Sequence, residues 1–340
     1  MPHALHRRTL LLALGAGSAC ALAPSVGWPQ AADRPRMRLI IDNDFGGDPD
    51  GLFELAQHVL SPSVEISAII GSHLHRDDPF DPSDQQSAHA AAKAAEVMRL
   101  AGKSGLAPIF AGENRALASD QPPALSAATR AIVAEALRPD PRPLYYVAGA
   151  GLTEIALAWM AEPRIAQRLT LIWIGGPEHH PPRTPTPASR QPEYNLTIDT
   201  LAAQIVFGRS EIPIWQVPRD AYRQMLISSA ELKDIAATGP LGAYLASQVM
   251  RVSRLAGSAG LNIGETYILG DSPLVTLTAL QSSFEADPSS SDYFETPTPG
   301  IAPDGSYIAA PAARPMRVYR TIDTRLTFAD LIAKLRQSGR

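Results

Sequence analysis

The sequence predicts an α/β protein with a mostly parallel central sheet flanked by helices. Three observations predict it. Short apolar runs, partly β-branched and bounded by turn residues, recur along the chain at 39–41, 64–70, 144–148, 169–174 and 212–217. Segments with helical periodicity lie between them, at 52–60, 89–101, 124–136, 152–161 and 200–207. The two kinds alternate, which is the mark of βαβ units and a parallel sheet. Such sheets bind ligands at the carboxyl ends of their strands, and the chemically distinctive loops fall there.

Taken from the N-terminus, the first segment reads as an export signal over residues 1–32. Arg7 and Arg8 precede an apolar stretch from Leu10 to about Ala16, and small residues follow, with cleavage after Ala23 or near Ala31 and Ala32. The arginine pair resembles a twin-arginine signal, so the mature protein is expected in the periplasm. The apolar stretch is too short for a membrane span. Cys20, the one cysteine, lies in this segment, so the mature chain is expected to have neither disulfide nor thiol chemistry. Residues 36–340 are expected to form a single α/β domain. With 45% hydrophobic residues the composition is globular, and a net charge of −4 without a basic run argues against nucleic acid as a partner. The 31 prolines suggest ordered loops rather than long helices, and the stretches 175–195 and 281–306 read as irregular.

The first apolar run climbs into "DNDFGGDPDGLFEL", with Asp42, Asp44, Asp48 and Asp50 crowded at a strand end. Packed carboxylates repel one another unless a cation or strong donors hold them. An all-oxygen set suits a hard cation, Ca²⁺ or Mg²⁺. Alternation along an extended chain lets Asp42 and Asp44 face one way. The competing view is a solvated acidic loop with Asp50 as a helix N-cap. An EF-hand frame fails. A phosphotransferase with an aspartyl nucleophile lacks its later lysine, because Lys93, Lys103, Lys233 and Lys334 all sit in helical or connecting contexts.

This stretch resembles the hallmark of the inosine-uridine nucleoside hydrolases, Asp-Thr-Asp-Pro-Gly-x-Asp-Asp, with two extra residues, and is closer to divergent members with a Gly-Gly-Asp-Pro-Asp-Asp form. "VEISAIIGSH", "VAGAGLTEIALAWMAEP", "LIWIGG", "PEYNLTIDTLAAQIVF", "LGDSPLVTLTAL" and "VYRTIDTRLTFADLIAKL" resemble further family segments in order. The resemblance implies a Rossmann-like nucleoside hydrolase fold, one Ca²⁺, and cleavage of the N-glycosidic bond of a small-molecule ribosyl substrate, with Asp44 activating a metal-bound water. It places Asp42, Asp44, Asp271 and the carbonyl of Ala148 or Gly149 as metal ligands, to which the inserted turn adds Asp48. Asp50, Ser72, Glu193 and Asn195 become substrate contacts, His73 follows Ser72 as a further candidate contact, and a homo-oligomer is implied.

Three departures stand out. Gly51 replaces the second of the family's adjacent aspartates, and Asp48 is one candidate stand-in. Gly270 replaces the family's leaving-group histidine, for which His179 or His180 is a candidate substitute. Thr153-Glu154 replaces Thr-Asn. A non-catalytic nucleoside- or sugar-binding protein of the same fold is the alternative these departures leave open.

Overall fold

The computed structural model describes residues 35–121, 124–179, 191–282 and 290–339. The expected export signal therefore lies outside the described residues, as does His180. Six strands, β1 (Met37–Asn43), β2 (Val64–Gly71), β3 (Ile109–Ala111), β4 (Leu144–Ala148), β5 (Thr170–Ile174) and β6 (Ile214–Val217), run parallel in the order β3-β2-β1-β4-β5-β6. A small antiparallel pair, β7 (Leu226–Ser228) and β8 (Thr266–Ile268), stands apart from them. β9 (Asp292–Pro297) closes the main sheet as an antiparallel edge on β12 (Pro315–Thr321), which lies parallel to β6, and β10 (Gly300–Ile301) pairs with β11 (Tyr307–Ile308) between them in the chain.

The helices are α1 (Asp50–Val59), α2 (Gln86–Leu100), α3 (Ala127–Leu137), α4 (Thr153–Ala161), α5 (Tyr194–Ile198) and α6 (Thr200–Gly208). After them come α7 (Arg219–Tyr222), α8 (Ser229–Ala236), α9 (Pro240–Ser258), α10 (Pro273–Thr276) and α11 (Thr324–Ser338). A parallel sheet must be covered on both faces, so its strands are apolar throughout rather than alternating. In β1, Leu39 and Ile41 enter one hydrophobic cluster with Leu52, Phe53 and Leu55 of α1. Ile40 enters the opposite cluster, with Tyr146 and Trp173. Strand order reverses at β1, with β2 and β3 to one side and β4, β5 and β6 to the other. Neighbouring crossovers diverge at such a switch point, leaving a crevice above the strand ends. Asp44, Gly149 and the residues after Ile174 all lie on that side.

Two expectations about order are corrected. α9 is a 19-residue helix, started by Pro240 in its first turn where the missing N–H costs nothing. The prolines therefore mark boundaries rather than preclude long helices. The stretch 281–306 is expected to be irregular; residues 283–289 of it lie outside the described residues, and the described remainder supplies β9, β10 and the approach to β11. β9 is held by side-chain pairs that its own composition does not reveal. Tyr293 packs against Tyr319 at 5.4 Å, and the Arg320 guanidinium lies 4.5 Å from the Phe294 ring centre. No described helix is long and apolar enough to cross a membrane.

Candidate active site

β1 ends in the Asp42-Asn43-Asp44 triplet, and the chain then turns sharply, the Gly47 N–H donating to the Asp44 carbonyl at 2.7 Å. Asp50 opens α1 but does not cap it. The N-cap is Pro49, and the Asp50 carboxylate instead accepts from the N–H groups of Gly51, at 2.9 Å, and Asp271. Asp271 likewise is not a cap, since Ser272 holds that place before α10. Its buried carboxylate accepts from Asn43 Nδ2 at 2.9 Å.

Asp44, Asp48, Asp50 and Asp271 converge on one cleft of about 390 Å³, with Gly149, Glu193 and Asn195 also in its wall. Burial, then the charges of Asp50, Asp48, Asp78 and Asp42, hold the Asp44 carboxyl well above the ordinary carboxylate range. Asp50 is raised by burial and by Asp271 and Asp48, and Asp271 by burial and Asp44. A cation among these groups would reverse the effect, because its charge favours the ionised forms. Asp48 stands at the exposed rim, where its Oδ1 accepts from the Tyr267 hydroxyl at 2.6 Å.

Glu193 and Asn195 are fixed in the cleft wall by hydrogen bonds. Glu193 caps α5, accepting from the N–H groups of Asn195 and Leu196, from Gly176 N–H at 2.6 Å, and from the Tyr222 hydroxyl at 3.0 Å. Asn195 Nδ2 donates to the carbonyls of Gly149 and Ile174.

Other expected residues point elsewhere. The Asp42 carboxylate is buried beneath the cleft and accepts from the hydroxyls of Ser72 and Tyr146. Burial raises it to about 6, against those two hydrogen bonds. Asp42, Asn43 and Ser72 all lie behind the cleft wall; the hydroxyls of Ser72 and Tyr146 take up the Asp42 carboxylate, so Asp42 and Ser72 support the floor, whereas Asn43 bears directly on Asp271. The ring of His73 lies between the Leu74 carbonyl and the Thr153 hydroxyl and is also outside that wall. His179 Nε2 lies 2.7 Å from Gln216 Oε1, in a contact with Tyr307, away from the cleft. Beside Gly270 there is an aromatic ring instead: a Cβ at that position would stand 3.3 Å from Tyr222 Cδ2 and 3.2 Å from Asp50 Oδ2. Glu154, expected near the cleft, is buried below it and accepts from Glu113 N–H at 2.6 Å.

The structure adds residues that the motif passed over. The Tyr194 hydroxyl donates to Asp78 Oδ2 at 2.6 Å, and both line the cleft with Leu74, Phe80 and Tyr222. Tyr194 was legible only as the middle of Glu-Tyr-Asn. Asp78 sits in an acidic loop that carries no motif.

Among the described residues, no three carboxylate or imidazole groups are arranged to hold a metal ion by themselves. The available donors mix the carboxylates of Asp44, Asp50 and Asp271 with neutral oxygens. One of these, Asn43 Oδ1, is buried and has no hydrogen-bond partner. An all-oxygen set of this kind fits a hard divalent cation in chemistry, with one carboxylate fewer than adjacent aspartates at 50 and 51 would give.

Residues 39–298 match the family model of inosine-uridine preferring nucleoside hydrolases. Among solved structures, the purine-preferring ribonucleoside hydrolase from Gardnerella vaginalis superposes with a TM-score of 0.71 at 18% identity, over 89% of this chain and 99% of that one. A plant nucleoside hydrolase gives 0.66 at 18% identity, covering 88% and 99%. The inosine-uridine preferring nucleoside hydrolase from Bacillus anthracis gives 0.63 at 16% identity, again covering 88% and 99%. At these identities the likeness is one of fold. No curated protein matches the sequence.

Proposed function

Because the chain belongs to the inosine-uridine preferring nucleoside hydrolase family, and is thus a hydrolase of N-glycosyl bonds, we propose that it cleaves a ribonucleoside or related ribosyl compound in a calcium-dependent reaction with Asp44 as general base. The observation that carries this is the convergence of Asp44, Asp50 and Asp271 on one cleft from two distant parts of the chain.

Ca²⁺, when bound, supplies positive charge that holds ribose hydroxyls and makes the attacking water more acidic. The residues that would hold it are Asp44, Asp50 and Asp271, with the Gly149 carbonyl. Asp44 takes the proton of the attacking water. Asp50, Glu193 and Asn195 grip the ribose hydroxyls, and the four donors on Glu193 keep its carboxylate in place as charge develops on the sugar ring. Tyr194, Tyr222, Phe80 and Leu74 form the less polar part of the wall, suited to a base or another flat leaving group. Residue 270 has no side chain to protonate the departing group, so a substrate whose leaving group needs little help suits this site best. We further propose that residues 36–340 act as one domain, exported to the periplasm through the N-terminal segment.

The test is nucleoside turnover with and without added Ca²⁺, in the native protein and in Asp44→Asn. The variant is expected to lose about a hundredfold or more in kcat. Equal rates would remove Asp44 as the base. Calcium binding with no turnover of any ribosyl compound would instead favour a binding protein.

A further inference from the structure

We infer that the side-chain amide of Asn43 is the ligand that replaces the missing carboxylate at position 51, and that Asn43 and Gly51 are one exchange made in two places. This rests on the calcium-dependent reading above and concerns this chain's own way of building the cation site.

Three observations carry it. First, Gly51 lies in the first turn of α1, and a Cβ there would stand 2.7 Å from Asn43 Oδ1 and 2.8 Å from both Cγ and Nδ2. Contacts that close do not occur, so the Asn43 amide occupies the space in which a side chain at 51 would begin. Secondly, the amide is enclosed from the other side. A Cβ on Gly149 would stand 2.3 Å from Asn43 Nδ2 and 2.7 Å from Asp271 Oδ2. Two glycines, one at the head of α1 and one at the end of β4, therefore leave room for a side chain rising from β1. Thirdly, Asn43 is fully buried and half used: Nδ2 donates to Asp271 while Oδ1 has no partner. Other buried oxygens lack partners too, Gln57 Oε1 and Glu154 Oε2 among them, but the Asn43 amide bears directly on a carboxylate of the cleft, Asp271.

The three meet in one physical account. The amide oxygen is a hard, neutral donor of the kind Ca²⁺ accepts. Without a cation, the amide turns its NH₂ to Asp271 and offsets part of that residue's buried charge. Oδ1 is left as the buried oxygen that would be offered to a cation held by Asp44, Asp50 and Asp271. One carboxylate is thereby exchanged for an amide, which lowers the ligand charge and should weaken affinity without abolishing it. The two positions also compete for space, since a side chain at 51 requires the Asn43 amide to move.

The experiment is calorimetric titration of the full chain, stripped of metal by chelation, with Ca²⁺ alone, alongside the rise in melting temperature that Ca²⁺ produces. Asn43→Ala is expected to lose about tenfold or more in Ca²⁺ affinity. Asn43→Asp, which keeps an oxygen there, is expected to bind at least as tightly as the native chain. Gly51→Asp alone meets the Asn43 amide and gains nothing. Asn43→Thr with Gly51→Asp removes that obstruction and is expected to bind more tightly than Gly51→Asp alone. Unchanged affinity in Asn43→Ala overturns the assignment while leaving calcium dependence standing. A native chain that binds no Ca²⁺ overturns both. Should Asn43→Ala not fold, the double variant decides: binding no tighter than Gly51→Asp overturns the assignment.

Discussion

Replacing Glu154 with glutamine should change how stability depends on pH, and the size of the change follows from where the side chain lies. Glu154 opens α4 beneath the cleft and is 1% exposed. Its Oε1 accepts from Glu113 N–H, but its Oε2 has no hydrogen-bond partner. Burial, with a further push from the nearby Asp42 charge, raises the carboxyl from 4.5 to about 8. A carboxyl raised on folding holds a proton that the unfolded chain has already released. Between pH 4.5 and 8 the native state therefore binds more protons, and the free energy of unfolding falls as pH rises, at up to about 1.4 kcal/mol per unit. Across that window the loss is at most roughly 5 kcal/mol, and above pH 8 it is constant. Glutamine keeps the acceptor for Glu113 N–H and cannot ionise. Urea unfolding of both proteins at pH 5, 6, 7 and 8 isolates the effect, because the remaining groups titrate in both. Glu154→Gln should gain on the native chain steadily from pH 5 to 8. A difference independent of pH would show that Glu154 is ionised throughout, and the reasoning from burial would be wrong.

Two further outcomes follow from the same physics. His58 is wholly buried between Glu54 Oε1 at 2.5 Å and the Thr278 hydroxyl at 2.8 Å, so His58→Ala should destabilise by about 3–5 kcal/mol in urea melts, as removal of one partner from a buried pair does; a loss under about 1 kcal/mol would mean water enters and satisfies Glu54. Chelation should lower the melting temperature, because Ca²⁺ at about a hundred times its Kd contributes about 2.7 kcal/mol to the folded state; an unchanged melting curve in a protein shown by titration to bind Ca²⁺ would mean that the unfolded chain binds it equally well.

Much of the fold was legible along the chain. β1, β2, β4, β5 and β6 are apolar because both faces of a parallel sheet are covered, and the helices between them carry their own period. The closing "VYRTIDTRLTFADLIAKL" likewise becomes β12 and α11. β9 was not legible, since a strand held by pairs with β12 has no local signature; α9 does carry a helical period, with Leu241, Leu245 and Val249 buried on one side after Pro240, which a reading from the overall proline count passes over.

The candidate site divides in the same way. Asp42, Asp44, Asp48 and Asp50 were legible as carboxylates crowded at a strand end, and Asp271, Glu193 and Asn195 through the family resemblance alone. Which way each side chain turns was decided by tertiary structure alone. Asp42 turns down to accept from Tyr146 and Ser72, and His73 turns to Thr153, because Tyr146 and Thr153 come from β4 and α4, far along the chain. Tyr194 meets Asp78, and Tyr222 fills the ground beside Gly270, for the same reason. The sequence by itself determined that the second aspartate of the motif is a glycine. Only the packed chain, with α1, β1 and β4 converging within a few ångströms, decided that Asn43 occupies the space this glycine leaves.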